Sequence, residues 1–302
     1  MRTILTGGIY PPLPTFFTTR DELDLVTLRR HMERLAESGI AGYVLMGSNG
    51  EAVHLDGDER TQLLTTARET VQGLERPLPI IAGCGAQATR ATIVLCHQAA
   101  QYGADFVLIL PPSYYRGRMD SSALIAHYRA VADHSPLPVV IYNMPTSAAG
   151  LDLDAATICT LSEHDNIYGV KDSSGNIAKI AHIVATAQPT FRVFAGSADF
   201  LLPALVVGAV GSVAALANVF PRAVCRVQAL FEQEKLEEAR IQQARLLAAN
   251  AAVTALYGVA GLKAALELLA GYGGEPRMPL QPLTTHERDR LAALLTALPA
   301  EQ

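Results

Sequence analysis

The sequence predicts an α/β chain that closes into a (β/α)8 TIM barrel and carries a C-terminal helical extension. Three observations predict it. Short apolar runs recur eight times, each followed by a helical hydrophobic period. The runs are continuously apolar rather than alternating, as in strands buried on both faces. Beyond about residue 232 the pattern is purely helical. Strands alternating with helices imply a parallel sheet, and eight such units favour closure over an open sheet. An open dinucleotide-binding sheet would carry G-x-G-x-x-G after its first strand, and this chain does not.

In chain order, the first strand is expected over 8–17 and the second over 42–47. The series continues over 79–83, 105–111, 139–144, 167–171 and 191–196, and ends over 209–214. Leu25, Leu28, Met32 and Leu35 share one helical face, and Gly39 ends that helix. Asp56 with Glu59 forms a capping signal ahead of Leu63, Ala67 and Val71. Ser121, Asp154, Asn176 and Asp199 stand where later helices begin, each able to accept an orphan N–H bond. The extension reads as helices over 236–252, 262–269 and 284–298, the last opening on the capping box Thr284-x-x-Glu287. The chain thus divides into a catalytic barrel, 1–232, and a helical extension, 233–302.

Half of the 302 residues are hydrophobic, enough for a sizeable core, and 18% are charged. With a net charge of -5 and no clustered basic run, nucleic acid is not an expected partner. Residues 201–220 carry no charge over the length of a membrane span. They hold Pro203, Gly208, Gly211, Ser212 and Asn218, however, and divide into a buried helix and a buried strand, so no membrane partner is expected. Cys84, Cys96, Cys159 and Cys225 show neither a C-x-x-C pair nor regular spacing, which fits reduced thiols in a cytoplasmic protein. The first residues are too poor in apolar side chains for a secretory signal.

In this fold catalytic side chains gather at the C-terminal ends of the strands. Lys171 closes the apolar run Ile167-Tyr168-Gly169-Val170, where apolar neighbours favour the neutral amine that attacks ketones. A lysine whose head group reaches water is the alternative. Tyr142 ends the preceding strand, and a phenol beside an amine can shuttle protons. Gly47-Ser48-Asn49-Gly50-Glu51 ends the second strand: glycines let its backbone turn and present N–H groups to a carboxylate. Ser48 can join a proton relay there, and Glu51 is expected to brace the loop. Tyr114-Tyr115-Arg116-Gly117-Arg118 suggests a site wall or a subunit contact. His54 and His97 lack H-x-H or H-E-x-x-H spacing, so no metal is expected, and a lone Gly83-Cys84-Gly85 says little about phosphate.

Three motifs in this order, Gly47-Ser48-Asn49-Gly50-Glu51, Tyr142-Asn143-Met144-Pro145 and Gly169-Val170-Lys171-Asp172-Ser173, resemble the N-acetylneuraminate lyase/dihydrodipicolinate synthase family of class I aldolases. The resemblance runs from Gly8 to about Pro282. It implies that Lys171 forms an imine with pyruvate and that no separate cofactor is used. It makes Tyr142 the proton-shuttling phenol, and Gly47, Ser48 and Asn49 the carboxylate site. It implies that Tyr115 reaches a neighbour's site across a dimer interface, that the backbone of Val213 lines the pocket, and that the assembly is a homotetramer. Members that condense pyruvate with aspartate semialdehyde normally carry an arginine shortly after Tyr-Asn-x-Pro. Here Thr146-Ser147-Ala148-Ala149-Gly150 follows, with none. Tyr114–Met119, Asn250–Thr254 followed by Gly261-Leu262-Lys263, and Ser48-Asn49 resemble 4-hydroxy-2-oxoglutarate aldolase, whereas the longer loop after Tyr142 is similar to that of 2-keto-3-deoxy sugar-acid aldolases. The expected reaction is reversible cleavage of a 4-hydroxy-2-oxo acid to pyruvate and an aldehyde. A keto-acid-binding barrel without catalysis and a metal-dependent enzyme are the alternatives from other classes.

Overall fold

A computed structural model describes residues 5–296 and 298. Eight parallel strands, β1 (Gly8–Ile9), β2 (Tyr43–Leu45), β3 (Ile80–Gly83), β4 (Phe106–Ile109), β5 (Val139–Asn143), β6 (Ile167–Asp172), β7 (Arg192–Ala195) and β8 (Gly211–Ser212), form one sheet in the order β1-β8-β7-β6-β5-β4-β3-β2. Between them run α1 (Leu25–Ala36), α2 (Gly57–Gln72), α3 (Thr89–Gln101), α4 (Ser121–His134), α5 (Ala155–Ser162), α6 (Ile177–Thr186) and α7 (Leu201–Val206), with α8 (Pro221–Glu232) after β8. The extension comprises α9 (Leu236–Ala251), a π-helical turn (Ala252–Leu256), α10 (Gly258–Ala270) and α11 (Thr285–Leu295). Residues 1–4, on which part of the N-terminal reading rests, lie outside the described residues. So do 297 and 299–302, at the end of the expected last helix and extension.

The ring closes between β1 and β2 through a parallel bridge of Pro12 with Val44. There the Leu13 N–H donates to the Val44 carbonyl at 2.8 Å, and the Val44 N–H to that of Pro11 at 3.1 Å. The first strand is far shorter than the expected 8–17, because Pro11, Pro12 and Pro14 have no N–H for a ladder. On the other side β1 meets β8 at Gly8 and Gly211, where a Cβ on Gly211 would stand 2.0 Å from the Gly8 carbonyl oxygen. Only glycine lets the two backbones come so close.

Alternation along the strands sorts the core into two shells. Val44, Ile81, Phe106, Leu108, Val140, Tyr142, Phe194 and Val213 pack with Tyr10 inside the ring. Their neighbours Tyr43, Leu45, Ile80, Val107, Ile141 and Val193 pack outward with helical residues such as Met32, Leu63 and Val131. Burying a side chain as large as Phe106 contributes about 2 kcal/mol over leaving it exposed.

Helix starts follow capping chemistry with two corrections. Asp154 and Asn176 cap α5 and α6, and Asp56 with Glu59 makes a complete capping box for α2. Ser121 is the first residue of α4 rather than its cap. Asp120 accepts the Ala123 N–H at 2.8 Å, so the carboxylate one residue earlier does the capping. Asp199 caps nothing: α7 follows Phe200 without a side-chain cap. The uncharged run 201–220 becomes α7, β8 and a short helical turn (Ala215–Asn218). Among the described residues no helix is long and apolar enough to cross a membrane. The extension packs back on the barrel, as where Gln243 of α9 donates to the Ala198 carbonyl at 2.7 Å and accepts from the Leu202 N–H at 2.9 Å.

Candidate active site

In the register of β5 and β6, Tyr142 stands opposite Lys171 and Asn143 opposite Asp172. Both Tyr142 and Lys171 are buried. Lys171 Nζ lies 3.9 Å from the centroid of the Tyr142 ring. The Tyr142 hydroxyl is 3.4 Å from Ser48 Oγ, and Ser48 Oγ donates to Ser147 Oγ at 3.4 Å. Amine, phenol and two hydroxyls thus form one continuous cluster, with contacts long enough to be retaken by a ligand.

A buried network fixes the ends of these two strands. Asn143 donates from Nδ2 to Asp152 at 2.7 Å and to Asp172 at 2.9 Å, while its Oδ1 accepts the Leu153 N–H at 2.9 Å. Lys179 of α6 pairs with Asp152 at 2.5 Å and with the fully buried Asp172 at 3.0 Å. The other Asp172 oxygen accepts from the Ser174 N–H and hydroxyl. The loop after Tyr142 is therefore latched back onto the strand that carries Lys171.

The turn after β2 presents Ser48 and Asn49. Within it the Gly50 N–H donates to the Gly47 carbonyl at 3.1 Å, and the Glu51 N–H to that of Ser48 at 3.2 Å. Glu51 braces the turn as expected: its buried carboxylate accepts the Arg277 N–H at 2.8 Å and stands 2.6 Å from Lys263 Nζ.

Around this cluster opens a cavity of about 910 Å³ at the C-terminal ends of the strands. Gly47, Ser48, Asn49, Tyr142 and Lys171 all line it. Among the described residues, Lys171 and Asp199 are the charged residues of its wall, which also offers hydroxyls from Thr146, Ser147, Ser173, Ser174, Ser197 and Thr254. Val213 lies outside the wall: its side chain joins the inner core, its N–H donates to the Ala195 carbonyl at 2.8 Å, and Ala215 lines the cavity two residues on. Tyr115 is also outside it, 71% exposed and stacked edge-on against Tyr114 at 5.1 Å. Among the described residues no three metal-binding side chains converge.

Two features escaped the sequence reading. Ser173 is part of a recognised motif, yet nothing in the sequence shows that its buried hydroxyl has no partner. It is wedged against Gly196, where a Cβ would stand 1.8 Å from that oxygen. The extension also walls the site, through Thr254, Tyr257 and their neighbours around the π-helical turn. Such turns interrupt regular helices and often occur at functional sites.

Barrel, strand-end lysine and adjoining phenol define the class: a TIM barrel with an amine poised inside its ring of strands. The chain belongs to the dihydrodipicolinate synthetase family, whose model matches residues 5–298. It is 45% identical to a probable mitochondrial 4-hydroxy-2-oxoglutarate aldolase of Emericella nidulans, over 91% of this chain and 89% of that one. It is 40% identical to the L-threo-3-deoxy-hexylosonate aldolase of Hypocrea jecorina, over 96% and 94%. The crystal structure of a dihydrodipicolinate synthase from Bacillus anthracis superposes with a TM-score of 0.93 at 27% identity, covering 98% of this chain and all of that one.

Proposed function

We propose that the protein is a class I aldolase that reversibly cleaves a 4-hydroxy-2-oxo acid to pyruvate and an aldehyde, with 4-hydroxy-2-oxoglutarate, giving glyoxylate, as the first substrate to test. The cluster of Lys171, Tyr142 and Ser48 carries this reading. Lys171 Nζ adds to the C2 ketone, and loss of water leaves a protonated imine. Tyr142, with Ser48 and a neighbouring copy's Tyr115 in the relay, takes the C4 hydroxyl proton. The C3–C4 electron pair moves into the imine, the aldehyde leaves, and an enamine remains. A proton returns to C3, and water hydrolyses the imine to pyruvate and the free amine. The Gly47-Ser48-Asn49 turn holds the substrate carboxylate, and Lys171 serves as covalent catalyst without an external cofactor. The positive imine nitrogen stabilises the charge that develops only as the bond breaks.

The test is borohydride reduction in the presence of pyruvate. A stable pyruvyl adduct on Lys171 is expected, and wild-type protein that turns over substrate without one would sink the reading. Lys171→Ala should lose turnover altogether.

A second reading, cleavage of a 2-keto-3-deoxy sugar acid, is favoured by the cavity wall. Its hydroxyls suit a polyol, and among the described residues it is lined by no arginine that would hold a second carboxylate. The missing arginine after Tyr142-Asn143-Met144-Pro145 weighs against dihydrodipicolinate synthesis. Rates on 4-hydroxy-2-oxoglutarate, a 2-keto-3-deoxy sugar acid and aspartate semialdehyde rank these options. Pyruvate binding with neither adduct nor turnover would instead indicate a keto-acid sensor. A cytoplasmic homotetramer, with Tyr115 crossing to a neighbour's site, completes the proposal. Light scattering measures the assembly, and cell fractionation decides between cytoplasm and mitochondrion.

A further inference from the structure

The extension sends one fully buried charge toward the site, and the reaction above does not use it. Lys263 of α10 is inaccessible to solvent, as is the side chain of Glu51, with Nζ 2.6 Å from Oε1. Nζ also donates to the Glu275 carbonyl at 2.9 Å and lies 4.5 Å from the centroid of the Phe17 ring. The other Glu51 oxygen accepts the Arg277 N–H and stands 3.2 Å from His54 Nδ1. A carboxylate and an ammonium taken out of water are each strongly destabilised unless they are paired, so this pairing is not incidental packing.

Its placement gives it a role. Glu51 ends the turn that presents Ser48 and Asn49, and its φ is +51°, in the left-handed region. A non-glycine residue there is disfavoured, because its Cβ crowds the following carbonyl oxygen, whereas glycine would adopt it freely. On the other side of that residue the carboxylate is held by Lys263 and by the Arg277 N–H. We propose that Lys263 is a positioning residue: through Glu51 it keeps the Ser48–Asn49 turn in the shape that receives the keto acid's carboxylate. The inference rests on the aldolase reading, which assigns that turn to the carboxylate. Without the tie, Glu51 relaxes out of the left-handed region and its N–H leaves the Ser48 carbonyl, so the turn opens. The strands that carry Lys171 and Tyr142 stay in place, because the network that fixes their ends, through Asn143, Asp172 and Lys179, does not include Glu51. The effect falls on binding rather than on imine chemistry.

The experiment traps pyruvate with borohydride across a range of pyruvate concentrations. It compares wild type, Lys263→Met, and the double variant Glu51→Gln/Lys263→Met, with thermal melts of each. The double variant leaves no stranded carboxylate in the core, so folding does not mask the result. Half-saturating pyruvate should rise by on the order of tenfold in the folded double variant, with the limiting trapping rate within about twofold of wild type. A folded double variant with wild-type half-saturation, or one that loses only limiting rate, overturns the inference and leaves the aldolase reading intact. Wild-type protein that forms no adduct overturns the aldolase reading itself.

Discussion

Tyr142 and Ser173 make different demands on the same cavity. Tyr142→Phe keeps the ring beside Lys171 and removes the oxygen that faces Ser48. Imine trapping with pyruvate should persist, while kcat for cleavage falls by about 10²–10⁴, the usual worth of a positioned acid–base group. A steady-state assay paired with borohydride trapping checks this, and equal loss in both assays would argue for simple collapse of the site. Ser173→Ala removes a buried hydroxyl that has no partner among the described residues. An unpaired buried hydroxyl costs about 1–3 kcal/mol, a cost that a bound substrate oxygen would relieve. Its loss should therefore lower kcat/KM for the 4-hydroxy-2-oxo acid by on the order of tenfold. Unchanged kcat/KM would remove Ser173 from the substrate's contacts. Tyr142 was legible because a polar residue closing an apolar strand stands out. Ser173 was not, because a missing partner is a property of three-dimensional surroundings.

At the scale of elements, β5 and β6 are held by more than their ladder. Lys179 of α6 neutralises Asp172 from outside the strands and ties in Asp152 from the loop after Tyr142. Lys179→Met would leave the Asp172 carboxylate buried without its cation, which costs about 3–5 kcal/mol. A drop of that size in urea-unfolding free energy is the expected result, and a loss below about 1 kcal/mol would mean that the Asn143 and Ser174 hydrogen bonds suffice. Strand positions were readable from apolar runs, and Asp154 and Asn176 from their capping chemistry. The length of β1 and the true cap of α4 were missed for local reasons: prolines interrupt the ladder, and Asp120 precedes Ser121.

Across the whole molecule, α1, the turn after β8 and the extension meet at His31. Its ring lies 2.9 Å from the Tyr272 hydroxyl through Nδ1 and 3.0 Å from Asn218 Oδ1 through Nε2. Because Asn218 Oδ1 only accepts, Nε2 carries a proton. Burial first, and the Arg34 charge second, push His31 from 6.5 down to about 3, while burial takes His127 to about 4. Between the unfolded and folded values the unfolded chain binds protons that the folded one refuses. Their stabilising effect is thus complete above 6.5 and is lost as pH falls toward 3 to 4. Urea midpoints should drop between pH 7 and pH 5, and coincident midpoints would contradict this.

What the sequence determined by itself was periodic or local: the βα alternation, the helical extension, and the strand-end positions of Lys171, Tyr142 and Ser48-Asn49. Hydrophobic period and strand termination are written into adjacent residues, so these features could be read without coordinates. Only the tertiary structure decided that Lys263 reaches Glu51, that the extension walls the cavity, and that the Ser173 hydroxyl is left unpaired. It also decided that, among the described residues, the wall offers hydroxyls rather than a second cation. Each of these depends on which distant segments share a low-dielectric space. Pairing and burial there are set by the packing of the whole chain, and no window of sequence contains them.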